Sequence, residues 1–182
     1  MKTAYLDIET SYVGCFTDQR LFRDCKNHRI AIIGVRVLDG ASDGFVQLIK
    51  NDITRANLML VLRGAERLVT YNGRSIPDKI KNCVGFDFPV IAAQLGVVLD
   101  QEFPHLDLCP ECWSKGLWGG QKVVEQVLGL ARELPGKDGK WAQEMWAKYE
   151  ATGDESYKDE VLVYNREDVF MLRRIEEALH TR

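Results

Sequence analysis

Acidic residues near the two ends of the chain have types and spacing that could hold a catalytic metal ion. Asp7 and Glu9 lie two residues apart in Tyr-Leu-Asp-Ile-Glu-Thr, and Asp168 closes Tyr-Asn-Arg-Glu-Asp near the other end. Residues two apart on a β-strand project to the same face, so Asp7 and Glu9 can share one cation if the strand continues past Ile8. Two solvated acids at an exposed strand end are the simpler alternative.

Asp168 lies on the inward face of a predicted C-terminal helix. Residues on this face recur at steps of three or four: Val161, Tyr164, Asp168, Leu172, Ile175 and Leu179. An unpaired carboxylate on such a face is costly without a cation or several hydrogen-bond donors. The alternative is a buried ion pair with Arg166, Arg173 or Arg174, although these arginines fall on other faces of the helix.

A further acid, Asp87, stands in the middle of the chain within Phe-Asp-Phe-Pro. It fits the N-terminal boundary of a helix, where Asp commonly caps the backbone and Pro89 suits the first turn. Asp87 could serve both as cap and as metal ligand. A polar insertion at about 74–85 precedes it and contains a competing acid, Asp78. This polar segment is either a solvated surface loop or a flap whose basic residues could fold over a substrate.

The elements that would position these acids predict a single α/β domain over residues 1–182. We expect strands at 3–8, 29–38, 45–49, 67–71 and 103–108, helices at 53–64, 88–95 and 141–150, and a last helix after a break at 153–154. The turn at 39–44 joins the second and third strands as a hairpin. Three antiparallel strands followed by parallel ones indicate a mixed five-stranded sheet flanked by helices.

Composition excludes several classes of protein. A chain of 182 residues with 46% hydrophobic residues can bury one core. A net charge of −3 is too small to attract nucleic acid in bulk, so such a partner would need local basic groups or metal ions. Five irregularly spaced cysteines do not form a secretory disulfide pattern, and no stretch resembles a signal core or a membrane span. We therefore expect a soluble cytoplasmic protein with no membrane partner.

Together these residues resemble the ribonuclease H-like DEDD exonuclease superfamily, in the subgroup whose third motif carries Tyr. The residues 7–10, Asp-Ile-Glu-Thr, resemble the first motif, and Tyr-x-x-x-Asp at 164–168 resembles the third. Tyr-Asn-Gly at 71–73 and Phe-Asp-Phe-Pro at 86–89 resemble two halves of the second motif, which are nearly contiguous in most relatives. The preserved Phe-Asp-x-Pro context favours Asp87 over Asp78. The segments 105–108 and 117–122 also resemble predicted stand-alone members, similar to the proofreading domains of family B polymerases.

The resemblance implies a 3′–5′ exonuclease that hydrolyses single-stranded DNA, RNA or both to nucleoside 5′-monophosphates. It implies two Mg²⁺ or Mn²⁺ ions, since oxygen ligands suit hard cations. Asp7 would bridge both ions, Glu9 and Asp168 would complete the ion on the nucleophile side, and Asp87 would act largely through water. Tyr164 would orient the attacking water. The partner would be a nucleic acid with a free 3′ end.

The predicted substrate contacts lie in or near these motifs: Thr10, Tyr71, Asn72, Phe86 and Lys122. Aromatic rings can stack on any base, although core packing explains Phe86 equally well. Lys122, at a predicted helix start, could approach a backbone phosphate. Trp118 either packs against a helix, as the other tryptophans are expected to do, or reaches the substrate from its position beside two glycines. Two alternatives remain open on the same fold: a nucleic-acid-binding module with weakened catalysis, and a structure-specific endonuclease or junction resolvase.

Overall fold

The computed structural model describes residues 1–12, 25–74 and 85–181. Asp78 and most of the predicted insertion lie outside these ranges. The described residues form a five-stranded sheet from β1 (Thr3–Tyr12), β2 (His28–Asp39), β3 (Ser42–Ile49), β4 (Arg67–Thr70) and β5 (His105–Asp107). The strand order is β3-β2-β1-β4-β5. β1, β2 and β3 pair antiparallel, whereas β4 and β5 run parallel to β1, which confirms the predicted mixed sheet.

Helices flank this sheet along the part of the chain that follows β3. They are α1 (Arg55–Val61), α2 (Asp87–Leu95), α3 (Leu99–Glu102), α4 (Leu108–Ser114), α5 (Gln121–Val127), α6 (Gly139–Thr152) and α7 (Glu155–His180). The predicted break before the last helix is confirmed, because Gly153 ends α6 with φ 72° and the Asp154 side chain caps α7. None of the helices in the described ranges has the length and apolar character needed to cross a membrane.

The central strand β1 presents two different faces. Ala4, Leu6 and Ile8 pack into one core cluster together with residues of α1 and α2. Tyr5, on the opposite face, packs with residues of α7, and its hydroxyl donates a hydrogen bond to Glu176. Because side chains alternate along a strand, Asp7 and Glu9 share the face that α7 covers.

β1 continues beyond the predicted end at Ile8, so Asp7 and Glu9 lie inside the strand and not at its end. Glu9 pairs with Ile32 and Thr10 with Ile30, which leaves Ala31 as an extra residue in β2. Such bulges bend a strand and re-aim its side chains, and they are common beside active sites. The distortion here lies directly next to Glu9.

The predicted strand at 103–108 is shorter in the structure and runs from His105 to Asp107. Its end is set by the Asp107 side chain, which accepts a hydrogen bond from the backbone N–H of Cys109 and caps α4. Local capping therefore converts the last predicted strand residue, Leu108, into the first residue of a helix.

Candidate functional site

Three acids from opposite ends of the chain meet where α7 crosses β1. Asp7, Glu9 and Asp168 each offer an oxygen, and these oxygens lie within 4.8 Å of one another. Glu9 and Asp168 are buried, whereas Asp7 is partly exposed. Carboxylates packed this closely in a buried setting need a cation or protons to offset their repulsion.

The two halves of the second motif are also brought together. The backbone N–H of Phe86 donates to the carbonyl of Asn72 at 2.8 Å, and that of Phe88 donates to Gly73 at 2.9 Å. The two described segments that flank the insertion therefore lie next to each other, and Asp87 lies beside Gly73. These two backbone hydrogen bonds bring together the two halves of the motif, which are separated in sequence.

Asp87 is the first residue of α2, and the cap position belongs to Phe86, whose side chain makes no capping bond. The N-cap interpretation of Asp87 is therefore wrong. Its carboxylate is buried, and within the described ranges its Oδ2 has no hydrogen-bond partner. A buried carboxylate oxygen without a donor is the feature that a bound cation would satisfy.

The electrostatics of the four acids fit a divalent cation. Burial, reinforced by the charge of Asp168, raises the pKa of Asp7 to about 8. Burial and the neighbouring Asp7 raise the pKa of Glu9 and of Asp87 well above the usual carboxyl range. The donors are all oxygens, the set that Mg²⁺ and Mn²⁺ prefer. The residues present therefore fit the metal that the resemblance implies.

Asn165 fixes the orientation of Asp7. This fully buried side chain donates from Nδ2 to Asp7 Oδ2 at 2.9 Å and to the Asp7 carbonyl at 3.3 Å. Its Oδ1 accepts from Gln47 Nε2 at 3.0 Å, which leaves only Nδ2 to face the acid. Sequence reasoning missed this residue, although its position three residues before Asp168 places it on the same helix face.

A family model of the RNase H superfamily matches residues 4–180. The chain belongs to the RNase H superfamily. Membership indicates a nuclease, a hydrolase that acts on nucleic acid, and RNase H-like nucleases generally use divalent metals. Searches of curated proteins and of solved structures returned no match.

In this RNase H superfamily chain, α7 can approach β2 at the site only because residue 34 is Gly. A Cβ at Gly34 would lie 2.3 Å from Asn165 Oδ1 and 2.9 Å from Val169 Cγ2. We expect Gly34→Ala to lower the free energy of unfolding by about 1–3 kcal/mol through overpacking. Gly44→Ala is the matched control, since a Cβ there meets nothing within 4 Å. Urea unfolding curves would test this, and equal midpoints for both variants would contradict it.

Asp168 has ion-pair partners, but they do not come from its own helix. Lys122 Nζ lies 2.5 Å from Oδ2, and Arg132 Nη2 lies 2.6 Å from Oδ1. The alternative that named the α7 arginines is therefore wrong in its partners, whereas an ion pair does form. Both oxygens of this motif acid are engaged by protein cations, which a metal must share or displace.

Arg132 joins three acids of the superfamily domain in one buried network. Besides Asp168 it contacts Glu125 at 2.7 Å and Glu167 at 3.1 Å, and its side chain is 8% exposed. These neighbours raise its pKa further above the usual arginine range, so it stays charged. Sequence reasoning missed Arg132, because it lies outside the helices and no periodic pattern marks it.

Tyr164, the aromatic residue of the third motif, is buried against two cations. Lys122 Nζ lies 4.5 Å from the centre of its ring and Arg132 Cζ lies 5.8 Å away. Burial, together with the charges of Asp168, Glu9 and Asp7, raises its pKa, so the phenol stays protonated at neutral pH. A neutral hydroxyl beside the acids can donate a hydrogen bond.

The predicted substrate contacts have partners inside the protein. The Tyr71 hydroxyl donates to the Gly119 carbonyl at 2.7 Å, and the Phe86 ring packs edge-on against His28 with centroids 4.9 Å apart. Thr10 is buried, and its hydroxyl accepts from Gln143 Nε2 at 2.9 Å. The roles of these side chains in substrate binding stay predictions.

Asn72 has a left-handed backbone conformation, with φ 61°, and the Asp107 side chain stabilises the turn at this residue. Asp107 Oδ1 accepts from the backbone N–H of Asn72 at 2.7 Å, and Oδ2 accepts from that of Arg74 at 3.1 Å. Asp107 therefore fixes the point from which the insertion departs. It is a positioning residue whose role the resemblance of segment 105–108 did not indicate.

Cys109 and Cys112 form a Cys-x-x-Cys pair within α4. Both are buried, and burial raises the pKa of Cys112 to about 11. A thiol with so high a pKa is a poor nucleophile and metal ligand, which favours a packing role.

Proposed function

We propose that the protein is a divalent-metal-dependent 3′–5′ exonuclease that releases nucleoside 5′-monophosphates from single-stranded DNA or RNA. The convergence of Asp7, Glu9 and Asp168 within 4.8 Å supports this most directly. Asp87 adds a buried oxygen without a donor, and Tyr164 adds a neutral hydroxyl. These are the residue types that phosphodiester hydrolysis requires around one phosphate.

Asp7, Glu9, Asp87 and Asp168 are the side chains that would hold the metal. Divalent cations bound there would supply an activated water and neutralise charge that develops on the phosphate. Asn165 keeps the Asp7 carboxylate turned toward the other acids through its 2.9 Å hydrogen bond. The site chemistry thus depends on the packing of α7 against β1.

Two further side chains have roles that follow from their protonation and exposure. The Tyr164 hydroxyl, which keeps its proton, would orient the attacking water by hydrogen bonding. Lys122 is 29% exposed while it contacts Asp168, so its charge can be shared with an incoming phosphate. Lys122 would therefore contact both Asp168 and the substrate phosphate.

A first experiment follows the products from a single-stranded oligonucleotide labelled at its 5′ end, with Mg²⁺, Mn²⁺ or EDTA. We expect a ladder that shortens from the 3′ end, release of 5′-monophosphates, and no cleavage in EDTA. A 3′-phosphorothioate end should slow the wild-type protein. Cleavage that survives EDTA, or release of the 5′ label in the first product without a ladder, would refute the proposal.

A circular single strand separates an exonuclease from an endonuclease of the same superfamily. We expect the circle to remain intact under conditions that degrade the linear form of the same sequence. The circle offers no 3′ end, so nicking of it would favour the endonuclease or resolvase alternative.

One observation favours a second candidate, a nucleic-acid-binding module with weak catalysis. Lys122 and Arg132 already engage both oxygens of Asp168, and protein cations there compete with a metal. This candidate predicts oligonucleotide binding in a fluorescence anisotropy assay without release of mononucleotides in Mg²⁺ or Mn²⁺. The ladder assay above distinguishes the two candidates directly.

A further inference from the structure

An exposed aromatic side chain lies four residues before Lys122, which contacts the candidate site. Trp118 is 64% exposed, although it belongs to the turn that leads into α5. Val123 and Val127, one helical turn apart on α5, are also about half exposed. Large apolar side chains grouped on a surface commonly mark a contact with a ligand or a partner.

The segment that carries Trp118 is held in place by several contacts. The Trp113 ring packs against Trp118 with centroids 5.6 Å apart and a tilt of 33°. Trp113 Nε1 and the Tyr71 hydroxyl both donate to the carbonyl of Gly119, at 3.4 and 2.7 Å. Gly119 has φ 125°, a conformation that favours Gly, so the turn is specified locally. A ring supported on one side and exposed on the other loses little entropy when it stacks.

The same segment also contacts the acidic centre. Gln121 Nε2 donates to the backbone carbonyl of Asp168 at 3.1 Å, and Lys122 Nζ contacts its carboxylate. Three residues of chain span at most about 11 Å, so the backbone of Trp118 lies within that distance of Gln121. Trp118 therefore belongs to a short segment that is anchored to the acidic site through Gln121 and Lys122.

We propose that Trp118 is a stacking platform for a nucleobase of the bound strand, next to the terminal nucleotide that is hydrolysed. An exposed indole in the same short segment as the Lys122 cation matches a nucleic-acid strand, in which bases alternate with phosphates along the chain. Stacking accepts every base, so the subsite adds affinity without sequence preference. This inference rests on the proposed function, because it takes the strand that the acids would cut as its ligand.

The test compares Trp118→Ala with wild-type protein on a set of oligonucleotides, each with one abasic position counted from the 3′ end. Fluorescence anisotropy in EDTA measures binding without cleavage. We expect Trp118→Ala to weaken binding of the intact oligonucleotide by about 5- to 150-fold, the range for loss of one stacked base. For the wild type, loss of the base at one position near the 3′ end should weaken binding by a similar factor. For Trp118→Ala, the oligonucleotide with that abasic position should bind as tightly as the intact one. Trp118→Phe should recover most of the affinity.

Leu60→Ala is the matched control, since Leu60 is 65% exposed on α1, on the opposite side of the sheet. It should bind all oligonucleotides as the wild type does. Equal affinities of Trp118→Ala and wild type for the intact strand would overturn the platform, and so would an abasic penalty that persists in Trp118→Ala. A far-ultraviolet circular dichroism spectrum matching the wild type would show that Trp118→Ala is folded.

Hydrolysis of the p-nitrophenyl ester of thymidine 5′-monophosphate distinguishes this inference from the proposed function. The ester has no neighbouring base, so Trp118→Ala should hydrolyse it at the wild-type rate. If wild-type protein hydrolyses neither the ester nor an oligonucleotide, the proposed function fails, whereas the binding comparison still decides the role of Trp118. A slower rate with Trp118→Ala on the ester would contradict a platform for the neighbouring base.

Discussion

Replacement of Arg132 with Met is expected to lower the free energy of unfolding by about 3–5 kcal/mol, the range for a buried ion pair that loses one partner. Arg132 is the cation of a network in which Glu125, Glu167 and Asp168 are all buried. When the Arg132 guanidinium is removed, Lys122 still neutralises Asp168. Glu125 and Glu167 lose the counter-charge that they share. Urea unfolding at neutral pH measures the loss.

Arg173→Met is the matched control for Arg132→Met. Arg173 is 39% exposed and pairs with Glu177 one turn along α7, so its loss should cost less than about 0.5 kcal/mol. The deficit of Arg132→Met should shrink in mild acid, because the carboxylates left unpaired can then take up protons. Superimposable unfolding curves for the wild type and Arg132→Met would contradict a structural role for the network.

The strand and helix that carry the terminal acids could be predicted because their patterns are local. Alternation in β1 places Asp7 and Glu9 on one face, and the period of α7 places Tyr164 and Asp168 on another. A mixed sheet then brings the two faces together. The alternation of residues in β1 does not predict that this strand continues past Ile8, because the bulge at Ala31 lies in its partner strand, β2.

The residues that hold the acids in place were not predictable in the same way. Arg132 and Lys122 reach Asp168 across 36 and 46 residues of sequence, and neither stands at a spacing that marks a partner. The backbone bonds between Asn72 and Phe86 are equally invisible to side-chain patterns. Sequence motifs therefore identify the candidate acids, whereas tertiary packing determines their counter-charges and orientation.

Asp7→Asn is expected to lower the rate of 3′-end hydrolysis by about a thousand-fold or more. Charge stabilisation by a catalytic metal is worth several kcal/mol, and each 1.4 kcal/mol changes a rate tenfold. The amide keeps the size of the carboxylate, so Asn165 and the surrounding packing should be preserved. Initial rates with saturating Mn²⁺ measure the change, and Asp39→Asn, at an exposed position, is the control. Near wild-type activity in Asp7→Asn would remove Asp7 from the metal site.

The same variant is expected to be more stable than the wild type when no divalent cation is added. Because the pKa of Asp7 is raised to about 8, the native state keeps a proton between about pH 4 and 8 that the unfolded chain has lost. Native protein then binds more protons than unfolded protein, so wild-type stability falls as pH rises through this window. Asn cannot ionise, and Asp7→Asn should lose less stability between about pH 4 and 8.

Added Mn²⁺ should reverse the order of the two proteins at about pH 8. A ligand at a hundred times its dissociation constant stabilises the native state by about 2.7 kcal/mol, or roughly 5–10 °C in Tm for a chain of this size. The wild type should gain this increment and Asp7→Asn much less, since the variant lacks one charged ligand. Thermal unfolding with and without Mn²⁺ across this pH range measures both effects. An Asp7→Asn protein that is less stable than the wild type near pH 8 without Mn²⁺ would contradict the inferred repulsion among the acids, whatever its activity.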